Sequence, residues 1–125
     1  MSPNHELDQL EALLKERDRL WKLRIIYEGG SERDPAWSGE DEHRFHEIAR
    51  EAEINDNAIR AAAERLRSLH PSEFRAWLDR RNQLREERLK ENPPKWECTH
   101  LRETTKRWER FLSGGEDDFF LHIGW

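Results

Sequence analysis

Residues 47–66 read EIAREAEINDNAIRAAAERL, and the way this stretch divides decides the fold. Apolar side chains recur at three- and four-residue spacing on both sides of Asn55-Asp56-Asn57, so each flank has the pattern of an amphipathic helix. The three residues between have short polar side chains that compete with a helical backbone for hydrogen bonds and favour turns and N-caps. The pattern therefore predicts two helices, about 40–52 and 56–69, meeting at a corner. Ile48, Ala49, Ala52 and Ile54 face inward from the first; Ile59, Ala62, Ala63 and Leu66 return the packing from the second, and the alanines allow close approach.

Upstream, Leu7, Leu10, Leu14 and Trp21 share one seam of a helix over about 5–28, with Leu13, Leu20 and Tyr27 beside it. Its end, WKLRIIYE, is apolar almost all round, which predicts burial on several sides or an extended segment at Ile25-Ile26. Gly29-Gly30 stops the helix, and the turn-rich SERDPAWSGEDE carries Trp37, expected to fold onto the domain. Downstream, His70-Pro71-Ser72-Glu73 opens a long helix over 70–92 with Phe74, Trp77, Leu78 and Leu84 inward. Asn92-Pro93-Pro94 breaks it, since neither proline can donate within a helix. A last helix, about 99–112, places Leu101, Trp108, Phe111 and Leu112 on one face, and the tail FFLHIGW then alternates as an extended segment does.

The bulk numbers set limits. A chain of 125 residues makes one domain, 1–125, built from an N-terminal helix (1–28), the paired helices (40–69), the long amphipathic helix (70–92) and a C-terminal helix with its aromatic tail (93–125). Apolar residues are 34% and charged residues 39%, so the core is thin and the six tryptophans must supply much of it. Basic and acidic residues number 22 and 27 and interleave at helical spacing, as on solvated helix faces. The formal charge of −5 argues against a dedicated polyanion binder unless basic groups gather locally. They do so in part: residues 29–56 hold 3 basic and 9 acidic side chains, residues 57–92 hold 9 and 6. The absence of an apolar run of about 18 residues predicts no membrane span, and the start MSPNHELDQL lacks the order of a signal peptide; the expected location is cytoplasmic.

On Ile48-Ala49, Ala52, Ile54, Asn55-Asp56-Asn57, Ile59, Ala62-Ala63 and Leu66, the stretch 47–66 resembles the helix-turn-helix superfamily of bacterial and phage regulators. It departs from that pattern at Glu53, where the turn usually has glycine, and no winged hairpin follows. The resemblance implies a helix-turn-helix-like centre in at most a bare three-helix or four-helix arrangement, which the pattern of the remaining chain sets in an all-α fold, a small bundle of about five helices with an extended C-terminal tail. It also implies that the second helix presents Asn57 and Arg60 to base edges, while Arg65, Arg67, Arg81 and Arg85 form a basic flank toward phosphates.

Other candidates are weaker. His43 and His46, with Glu42 and Glu47 beside them, have helical metal-ligand spacing but no third ligand, so no metal or other cofactor is expected. Cys98 and His100 lie two residues apart and point away from each other, and no oxyanion site or phosphate loop accompanies them; an enzyme is not expected. Phe119, Phe120, Leu121, Ile123 and Trp125 of the tail suit an interface anchor. The leading expectation is a non-catalytic regulatory protein bound to DNA or a nucleoprotein complex. The alternative is a small acidic inhibitor or adaptor, such as a phage-encoded anti-defence protein or a regulatory subunit, that meets a protein partner through the long helix or the tail. A homodimer stays open under both.

Overall fold

A computed structural model describes residues 2–27 and 29–114, the side chains of Ser31 and Arg33 excepted. The described residues form four long helices and one short turn of helix, with no strand: α1 (Pro3–Tyr27), α2 (Gly30–Arg33), α3 (Gly39–Leu69), α4 (Pro71–Leu89) and α5 (Lys95–Leu112). All-α is therefore right, and the central corner is not there. Residues 47–66 lie within one uninterrupted helix of 31 residues, so the two helices expected at 40–52 and 56–69 are a single one.

The reason is in the residues read as a turn. Asn55 Nδ2 donates to the carbonyl of Leu13 at 3.0 Å, and Asp56 is bridged by Arg17. Both polar side chains are thus occupied by α1 and do not compete with their own backbone. Glu53, in the place where a corner would have glycine, is an exposed helical position. Ala58 and the run Ala61-Ala62-Ala63 then continue the helix at the lowest intrinsic cost of any residue. No residue of α3 has a positive φ, which a tight corner of the usual kind would need.

Along α3 the positions Phe45, Ile48, Ala52, Asn55, Ile59, Ala62 and Leu66 recur at alternating three- and four-residue steps, the heptad seam of a coiled coil with one polar member. This seam packs against α1 running the other way: Arg65 reaches Glu6, Asn55 reaches Leu13, and Arg17 reaches Asp56. Asn55 is buried and bonded, so it fixes the register of the pair. A capping box opens α3, with Ser38 Oγ accepting from the Asp41 amide at 3.2 Å and Asp41 Oδ2 accepting from the Ser38 amide at 2.9 Å. Gly29, at φ 90°, precedes α2 in the left-handed conformation that glycine adopts without a steric penalty. Trp37 folds back as expected, edge-on to Tyr27 and donating to Glu42 Oε2 at 2.9 Å.

Only His70 separates α3 from α4. Its amide donates to Leu66 and its carbonyl accepts from Phe74, both at 2.9 Å, while Pro71 takes a first-turn position where no donor is missed. This corner gathers the aromatic core: Phe74, Trp77, Trp108 and Phe111 make stacked and edge-on contacts with centroids 5.4–6.5 Å apart. Leu10 and Leu14 of α1, with Ile59, Ala62, Ala63 and Leu66 of α3, complete a core at one end of the molecule to which all four long helices contribute.

Helix α4 covers most of the 70–92 expected, and Phe74, Trp77 and Leu78 face inward as their spacing placed them. Leu84 does not: it is half exposed, and the buried position beside it belongs to Arg85. Arg85 is 1% exposed and donates to Thr105 Oγ1 of α5 at 2.9 Å and to Asn82 Oδ1. Arg75 holds Glu109 through two hydrogen bonds at 2.6 and 2.9 Å, and Asn82 donates to the same carboxylate. Arg88 spans to Glu97 near the open end. The α4–α5 pair is therefore joined in the middle by a polar network, and only Leu101 adds a fully buried aliphatic side chain farther out.

Candidate partner-binding face

The residues expected to meet nucleic acid are not brought together. Asn57 and Arg60 lie exposed on the outer surface of α3, straight helix on either side. Arg65 is turned to Glu6, and Arg67 donates to the Phe111 carbonyl at 2.8 Å with its guanidinium 4.3 Å above the Phe111 ring. Arg81 lies over the Trp77 ring at 5.0 Å, and burial lowers its pKa against the pull of Glu11 and Asp18. Burial, with Arg81 beside it, pushes Arg85 down to about 10 although Glu109 opposes the shift. Arg81 and Arg85 thus serve the interior of the fold, and the basic flank inferred from the resemblance does not form. Phe119, Phe120, Leu121, Ile123 and Trp125 lie outside the described residues.

The histidines of α3 form separate pairs one turn long, His43 with Glu47 at 2.9 Å and His46 with Glu42 at 3.0 Å. Among the described residues no group of three or more potential ligands gathers. The Cys98 thiol is turned to the Pro93 carbonyl at 3.4 Å.

The surface that does stand out lies where α1 and α3 run on beyond the four-helix core as a two-helix arm. Leu20 and Ile48 are buried there, but the last turns of α1 carry more apolar side chains than α3 alone can cover. Trp21 is 53% exposed and Ile25 43%, against the expectation that Trp21 joins the inward seam and that 21–28 is buried or extended. Two adjoining grooves share Trp21 and Arg24. One is lined also by Arg17, Leu20, Ala52 and Asp56; the other, toward the loop, by Ile25, Gly29 and Phe45. Together they make one trough along the α1–α3 seam between the levels of Asp56 and Phe45, about 16 Å at the helical rise.

The charged groups that line the trough are Arg17, Arg24 and Asp56. Arg17 is neutralised by Asp56, whereas Arg24 makes no ion pair among the described residues. An apolar floor with an aromatic wall and a guanidinium is complementary to a bulky apolar side chain next to a carboxylate. Sequence reasoning passed over Trp21, Arg24, Ile25 and Phe45. The signal was the all-round apolar end of α1: a helix of that kind, meeting one neighbour, must leave a side uncovered.

Comparison with protein-family models, with curated proteins and with solved structures returns no match to any of the three. Among the described residues no helix is long and apolar enough to cross a membrane.

Proposed function

We propose that this chain is a small non-catalytic binding protein, an adaptor or inhibitor, whose α1–α3 trough holds an apolar, carboxylate-bearing segment of a protein partner. The observation that carries the reading is Trp21, half exposed beside Arg24 and Ile25 in a groove of the α1–α3 pair. Tryptophan and arginine dominate interface hot spots because they combine large buried area with directed polar contacts. Occupation of the trough would cover that area and give Arg24 its counter-ion. The nucleic-acid reading keeps Asn57 and Arg60 on the surface but lacks the corner that would project them into a groove, and of its flank Arg85 is buried while Arg65 and Arg67 are turned to Glu6 and Phe111.

The test is selection of peptides from a displayed random library on the full chain, followed by titration of the enriched sequence against Trp21→Ala and Arg24→Glu. Enrichment of peptides pairing an aromatic or aliphatic residue with Asp or Glu, weakened about tenfold or more by each variant, supports the reading. Peptides that bind both variants as well as the parent overturn it. Parallel titration with random duplex DNA at two salt concentrations addresses the other reading, for which salt-sensitive binding lost in Arg60→Glu is the expected sign.

A further inference from the structure

We infer that the opposite side of the α1–α3 arm is a self-association surface that a second copy of this chain covers about a two-fold axis. This side meets the trough only at the seam, where Leu20 and Asn55 line both grooves. Its centre is Ile54, 63% exposed in the middle of α3, where the expected corner would have buried it. Ala58, half buried, and Ala61, exposed, continue the same face toward the core, and Leu13 and Leu20 of α1 line the shallow groove beside Ile54. Small side chains next to one large aliphatic group allow a second helix pair to approach at the short end of helix packing distances, about 8 Å.

The charges select the occupant. Glu16, Arg19 and Glu51 border this groove, and the Arg19 guanidinium, which hydrogen-bonds Glu16, also feels Glu51. A patch bearing both signs within one rim is complementary to its own copy after a two-fold rotation, which sets Arg19 of one copy against Glu51 of the other. That matters in a chain of formal charge −5, which repels itself wherever the signs do not alternate.

The size suits a weak, reversible association. From Leu14 to Tyr27 the arm offers about 13 residues of α1 at a rise of about 1.5 Å, which with α3 alongside gives a face of about 400 Å² and a total of about 800 Å², in the range of transient interfaces. Two such hairpins face to face make a four-helix bundle, the usual way in which paired helices cover an apolar side.

Sedimentation equilibrium on the full chain, up to hundreds of micromolar, is the test. A reversible dimer is expected, weakened about tenfold or more by Ile54→Glu, a change at an exposed site that leaves the helical circular dichroism intact. Trp21→Ala leaves the dimer in place, which separates this surface from the trough. Arg19→Glu also weakens it, and adding Glu51→Arg to that variant restores it. A chain monomeric throughout that range, a dimer indifferent to Ile54→Glu, or a charge exchange that does not restore association overturns the proposal.

Discussion

The α1–α3 and α4–α5 hairpins are built on opposite principles. The first closes over a heptad seam of aliphatic and small residues with one asparagine in it, and it leaves apolar groups over on its outside. The second closes over arginines, with Arg85 inside and Arg75 and Arg88 reaching to Glu109 and Glu97. The difference teaches where each half keeps its binding capacity. Arg75, Arg85 and Arg88 of α4 are consumed within the pair, and exposed Leu84 and Trp96 line no described groove there, whereas α1 and α3 set Trp21, Ile25 and Ile54 along grooves of their own.

The sharpest way to break this comparison is at Asn57. In a continuous helix its amide bonds to the carbonyl four residues back, so Asn57→Pro removes that bond and collides with the preceding turn, at a cost of about 3 kcal/mol or more. At the first position of a separate helix the same proline is tolerated. Urea denaturation followed by circular dichroism reads the difference, and an unchanged midpoint would restore the corner.

The polar hairpin is sharpened by two substitutions at Arg85. Truncation in Arg85→Ala empties a buried site and strands Thr105 and Asn82, so about 2–3 kcal/mol is expected from the same denaturation experiment. Arg85→Met fills the volume without the desolvated cation and is expected within about 1 kcal/mol of the parent, or above it. If the two variants lose equally, the guanidinium hydrogen bonds carry the site and its volume does not.

The smallest effect is expected at Glu109, whose hydrogen bonds from Arg75 hold its carboxyl below the usual 4.5. A lowered folded value means that stability from this group is fully present above the unfolded pKa and is lost as pH falls through the folded one. Thermal melting should therefore decline below about pH 4.5 less steeply in Glu109→Gln than in the parent, and added salt should narrow the gap because the pair is partly exposed.

Helix class, the Gly29-Gly30 and Pro93-Pro94 breaks, the Pro71 start and the aromatic core of Phe74, Trp77, Trp108 and Phe111 are all legible in the sequence, because each follows from local chemistry or from helical period. Asn55 and Asp56 were misread because their partners, Leu13 and Arg17, lie some forty residues away, and a turn former with a tertiary partner does not turn. Leu84 and Arg85 exchanged the roles expected of them for a related reason: hydrophobic spacing assigns aliphatics to the interior, and a polar interface reverses the rule. The trough was hidden by pattern reading, which treats every apolar residue on a helix as covered.

The Asn55–Leu13 bond and the Arg17–Asp56 bridge sit side by side near the middle of the arm and hold both helices against slippage. Trp21 and Phe45 line the same groove from the two helices, so contacts that fix the register of the pair also hold its two walls in position. A ligand then meets walls already in position, and the entropy lost on docking falls on the ligand alone. Affinity at this surface should accordingly respond more to stiffening of the incoming segment than to any change that rigidifies the arm.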